Sequence, residues 1–137
     1  MAKINYQNLP STSTPLNATN LNAMQEISTS GSNTNGYYIK YEDGTLICRT
    51  TISRSFATST TYGNLFESPQ IDLGSTPYTF VGDYQLSVTE TSGPGVMIEG
   101  TDNKSATSYG KMYVLSAVSR TSYNFTFDII AIGRWKA

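Results

Sequence analysis

A chain of 137 residues has room for a single hydrophobic core, and nine basic against ten acidic residues leave a net charge of -1 with no basic run to neutralise phosphates. A nucleic-acid interface is therefore not expected, and with no histidine the chain lacks the commonest metal ligand and the commonest general base. Only 14% of residues are charged, while Ser, Thr and Asn supply about a third and are joined by 10 Tyr and 11 Gly, a composition that favours strands and turns.

Residues 1–15 read as a polar arm, in which Pro10 and Pro15 forbid a helix across them. Met1–Pro10 lacks the basic-then-apolar pattern of a secretion signal, so synthesis in the cytoplasm is expected. Downstream, Ala18, Leu21, Met24 and Ile27 recur every third residue, Asn17 stands as an N-cap, and a Ser-Thr-Ser-Gly run closes the segment. That spacing predicts an amphipathic helix of three turns. A helix so short is marginal alone and needs a partner, either its own domain or the same helix in neighbouring subunits.

Ser28–Gly36 reads as a polar linker. Beyond it, Asp43-Gly44 between two alternating runs predicts a two-residue hairpin turn. That register sets Tyr41 opposite Leu46, Ile39 opposite Cys48 and Tyr37 opposite Thr50 on one apolar face, with Ile47 and Tyr38 as exceptions on the polar one. Cys48, the single cysteine, is expected as a small buried hydrophobe. Thr58–Phe66 reads as a loop, Thr76–Val81 as a weak strand, Tyr84–Thr89 and Val96–Ile98 as strands, and Gly100–Gly110 as a polar loop. Lys111–Val118 is apolar on both faces. In the closing strand, Tyr123, Phe125, Phe127, Ile129, Ala131 and Trp135 share one face, and Ile130 and Ile132 make the other apolar near its end. Seven or eight strands divided by turns predict a mainly β fold, an antiparallel sandwich or jelly-roll-like head. Strands apolar on both faces have more to bury than one copy covers, so oligomerisation is expected. No segment approaches the length of apolar sequence that spans a bilayer.

Two stretches are more particular. Thr14–Met24 resembles a segment common near the start of phage tail and baseplate proteins, and Asn35–Cys48 resembles the hairpin of phage tail-fibre and receptor-binding head domains. The ending Ala131–Lys136 is similar to the closing strand of the same domains, so the resemblance touches about a third of the chain. It implies a homotrimer in the virion, at the tail tip, made in the host cytoplasm and attached to other tail or baseplate proteins. Residues 1–30 would hold the arm and an attachment helix, with Leu21, Met24 and Ile27 at the trimer interface. Residues 31–137 would form a β head that presents loops to host cell-surface saccharide. Thr51–Gly110 matches nothing in that family pattern, so no receptor site carries over.

Sugars are bound by aromatic faces beside hydrogen-bonding polar groups. Two segments offer that mixture, one with Tyr62, Asn64 and Phe66, the other with Asp102, Asn103, Lys104 and Tyr109. The candidate saccharide residues are Tyr62, Asn64, Asp102, Asn103 and Tyr109, against the plainer possibility that both segments are solvated connections. Trp135 sits on an apolar face and is expected to pack. No metal site or cofactor is expected, since Asp102-Asn103-Lys104 lacks the repeated acids of a calcium loop. Hydrolysis of a glycoside needs paired carboxylates, and the spacing of Glu90, Glu99, Asp102 and Asp128 singles out no pair. A non-enzymatic, saccharide-binding tail-tip protein is thus the leading expectation. A purely structural virion fibre or decoration protein comes next, and a tail-borne glycan hydrolase third.

Overall fold

The computed structural model describes residues 28–137, which form ten strands and no helix. In chain order these are β1 (Ser28–Asn33), β2 (Gly36–Tyr41), β3 (Thr45–Thr58), β4 (Thr60–Tyr62), β5 (Leu65–Glu67), β6 (Ile71–Asp72), β7 (Gln85–Ser92), β8 (Met97–Asp102), β9 (Lys111–Ser116) and β10 (Arg120–Arg134). All pairings are antiparallel. One sheet runs β1-β2-β3-β10-β7, and the other runs β4-β5-β9-β6 with β8 on the opposite edge of β9. The helix expected over Leu21, Met24 and Ile27 lies outside the described residues.

The first sheet is built on the long β3–β10 pair. Phe125, Phe127, Ile129 and Ala131 are fully buried, as the alternation in the last strand predicts. They join Leu46 and Cys48 of β3, Met112 and Val114 of β9 and Ile71 of β6 in one core cluster, so both sheets contribute to the same apolar interior. Phe56 stacks on Phe125 at 4.2 Å between ring centroids. Trp135 is half-buried against this cluster, and its indole N–H donates to the Tyr41 carbonyl at 2.9 Å.

The hairpin forms where expected but in a different register. Tyr38 opposes Cys48, Ile39 opposes Ile47 and Lys40 opposes Leu46, one residue off the two-residue-turn alignment. The turn has three residues: the Gly44 N–H donates to the Tyr41 carbonyl at 3.0 Å, Gly44 takes φ 91°, and the Asp43 carboxylate accepts from the Thr45 N–H at 2.8 Å. This is a type I turn closed by a left-handed glycine, the second common use of Asp-Gly in hairpins. A one-residue slip exchanges the faces of a strand. Leu46 and Cys48 therefore point inward with Tyr38 and Lys40, while Ile39 and Tyr41 face outward. Lys40 fits inside because its ammonium lies 4.5 Å from the Tyr78 ring centroid and 5.0 Å from that of Trp135.

Three further expectations change. Ser28–Asn33, read as a linker, is a strand, because β2 offers its open edge and backbone pairing does not require apolar side chains. It spans residue 30, where the arm was expected to end. Thr58–Phe66, read as a loop, contains the tight β4–β5 hairpin, in which Tyr62 pairs with Leu65 and Gly63 takes φ 60°. Thr76–Val81 is not a strand. Its backbone bonds irregularly, Thr76 to Thr107, Phe80 to Ala106 and Val81 to Arg134, while Pro77 offers no N–H. This segment presses onto β10 so closely that a Cβ at Gly133 would lie 2.8 Å from Phe80 Cδ1.

Candidate functional site

The outer face of the second sheet carries a groove of about 460 Å³, within the range of small-ligand sites. Its floor is β9. Met112 and Val114 turn into the core, so by strand alternation Lys111 and Tyr113 turn outward. On one side, β8 places Glu99 opposite Tyr113 and Asp102 opposite Lys111, with a bulge at Gly100. On the other, β5 sets Glu67 opposite Leu115, and the β4–β5 hairpin brings up Tyr62. Tyr62, Glu67, Glu99, Gly100, Thr101, Asp102, Lys111 and Tyr113 line the groove.

Five residues were candidates from sequence, and the fold treats them differently. Tyr62 and Asp102, forty residues apart in the chain, meet in this groove, with Tyr62 52% exposed. Asn64 is exposed in the hairpin turn next to Tyr62 but does not line the groove. Asn103 turns the chain out of β8 with φ 58° and is likewise off the lining. Tyr109 is 0% exposed and belongs to the core, so it is not open to a ligand from solvent. The loop assignment of Gly100–Gly110 misled there: Gly100–Asp102 continue β8, and the chain then folds inward at Tyr109. Burial pushes the Tyr109 phenol above the usual tyrosine range, and its hydroxyl has no hydrogen-bond partner among the described residues.

Glu67, Glu99, Lys111 and Tyr113 were missed. The signal available for Lys111 and Tyr113 was their alternation with Met112 and Val114. Nothing local marks Glu67 or Glu99, which reach the site only by pairing with β9. Most other carboxylates of the described residues are held by the protein itself. Asp43 accepts from the Thr45 N–H, Asp72 from the Gly74 N–H, and Glu90 from the N–H groups of Gly95 and Val96. Asp83 pairs with Lys104 at 2.8 Å, and Asp128 accepts from Thr51 and Arg49. Both carboxyls are thereby held below the usual carboxylate range, Asp83 chiefly by Lys104 and Asp128 chiefly by the Thr51 hydroxyl. Glu67, Glu99 and Asp102 have no such partner among the described residues. No group of three or more acids, cysteines or histidines among these residues is arranged to hold a metal ion.

A second surface lies on the outer face of the first sheet. One row across the strands reads Ile39, Ile47, Ile132, and the next reads Tyr37, Arg49, Ile130. Tyr37, Ile130 and Ile132 are 44%, 39% and 48% exposed, so this is an apolar patch open to water. No helix among the described residues is long and apolar enough to cross a membrane.

No protein-family model matches the chain, and no curated protein matches it. Among solved structures, the R1 pyocin fibre of P. aeruginosa, a structure comprising C-terminal residues 323–701, is similar with 13% identity and a TM-score of 0.44. The match covers 85% of this chain and 30% of the pyocin fibre chain, so this chain spans under a third of its length. A TM-score of 0.44 falls short of a shared topology, and nothing is transferred from that fibre to this chain.

Proposed function

We propose that the chain is a receptor-binding or tail-fibre tip protein of a phage particle, and that the groove on its second sheet binds host cell-surface saccharide without catalysis. The resemblance of the Asn35–Cys48 hairpin suggests the particle, and the groove suggests the ligand. One observation carries the reading: Tyr62 and Glu67, Glu99 and Asp102, and Lys111 and Tyr113, from three stretches of the chain, converge on one concavity whose three carboxylates have no partner among the described residues. Tyrosine faces cover the C–H side of a sugar ring, and carboxylates accept from its hydroxyls. Two sheets around one core suit a sandwich-like head. The chain would act in the virion as a homotrimer joined to other tail proteins, and the exposed Tyr37, Ile130 and Ile132 patch is the surface such assembly would cover.

Glycan-array binding tests this directly. The wild-type chain retains a set of saccharides and Tyr62→Ala loses them with its melting temperature unchanged. A chain that retains none favours the purely structural virion component. The three groove carboxylates also give the hydrolase reading a foothold. A general acid, however, holds its proton at neutral pH through burial or a closely opposed second carboxylate, and Glu99 and Asp102 stand exposed to water. Release of reducing ends from a retained glycan would replace binding by hydrolysis.

A further inference from the structure

The groove differs from the rest of the surface in what its charges lack. Among the described residues, Asp43, Asp72, Asp83, Glu90 and Asp128 are engaged by backbone or side-chain donors. Four carboxylates are not. One is Glu42, exposed at the hairpin turn; the other three, Glu67, Glu99 and Asp102, all line this one groove. Among the described residues Lys111 is the only cation in the lining, and it forms no ion pair with any of them. Three acids against one base leave the lining two charges negative. A carboxylate offers acceptors only, so the complementary ligand group is a donor, and best a charged one. The faces of Tyr62 and Tyr113 add the same preference, because an aromatic ring attracts a cation.

We infer that the groove takes a saccharide unit bearing a protonated amine and turns away anionic sugars; this rests on the saccharide reading above and specifies its ligand class. Carboxylate, phosphate and sulfate sugars meet net repulsion there. An unsubstituted amino sugar meets up to three acceptors beside aromatic faces. The groove is open to solvent, so the preference is screened and shrinks as salt rises.

Calorimetric titration with three tetrasaccharides of equal length separates the possibilities: a chitosan tetramer with free amines, the fully N-acetylated tetramer, and a tetragalacturonate. The amine form is expected to bind about tenfold more tightly than the acetylated one at low salt, the scale of a few exposed charge pairs. Tetragalacturonate is expected not to bind. The triple change E67Q/E99Q/D102N removes the preference, whereas E42Q, the same loss of charge outside the groove, leaves it intact. Equal binding of amine and acetylated forms, lost in Tyr62→Ala, overturns the inference and leaves the saccharide reading standing. Tighter binding of tetragalacturonate, or a preference surviving the triple change, also overturns it. No binding of any of the three overturns the inference, and the saccharide reading falls with it if the glycan array is blank as well.

Discussion

Tyr109→Phe removes one oxygen from the interior and separates the two roles that the sequence allows for this side chain. The residue is 0% exposed and its hydroxyl finds no partner among the described residues. A buried, unsatisfied polar group costs about 1–3 kcal/mol in desolvation, so deleting it returns up to that amount. At about 4 °C per kcal/mol for a domain of this size, the melting temperature is expected to rise by about 4–12 °C. Thermal denaturation followed by circular dichroism reads the shift, and saccharide binding is expected to stay unchanged. A loss of more than about 1 kcal/mol refutes the reasoning, because it means that the hydroxyl is satisfied. Loss of binding at unchanged stability refutes it differently, by placing Tyr109 at a ligand after all. The same groups set an alkaline limit. Burial holds the Cys48 thiol up at about 11 against a usual 9.0 and Tyr84 up at about 12 against 10.0, with Tyr109 raised further in the same direction. The unfolded chain gives up these protons first, so stability is complete below the unfolded values and is lost as pH climbs through them toward the folded ones.

Asp128 behaves in the opposite sense: Thr51, and after it Arg49, hold its carboxyl below the usual 3.8, so its contribution is present above that value and lost as pH falls through the folded one. An NMR titration of Thr51→Ala is expected to move the Asp128 midpoint upward, and an unmoved midpoint removes the hydroxyl as the main cause. Ile132→Asp places a charge in the patch of the first sheet without touching the core, since Ile132 is 48% exposed. Light scattering is expected to show assembly weakened and the melting temperature of the separated chain altered by no more than about 0.5 kcal/mol in stability terms. Assembly that survives takes this face out of the interface.

Features written into neighbouring residues were legible from sequence alone. The inward set Phe125, Phe127, Ile129 and Ala131 follows from a period of two, because successive strand residues point to opposite faces and only one of those faces turns into the core cluster. The Asp43-Gly44 turn was legible for the same local reason, since glycine accepts the positive φ that closes it. Its register was not. Asp-Gly serves turns of two and of three residues, and the choice depends on which face meets a partner. Leu46 and Cys48 meet the core alongside Tyr38, and Lys40 finds Tyr78 and Trp135 to lie against. β1 was hidden because a polar strand held by its neighbour's backbone has no apolar pattern to display. The groove was half hidden. Tyrosine beside acids and amides flagged Tyr62 and Asp102, but Glu67 and Glu99 become neighbours only when β5 and β8 pair with opposite edges of β9. Alternation and turn chemistry are short-range and survive in a string of letters; strand pairing joins residues tens of positions apart, and only the folded chain decides it.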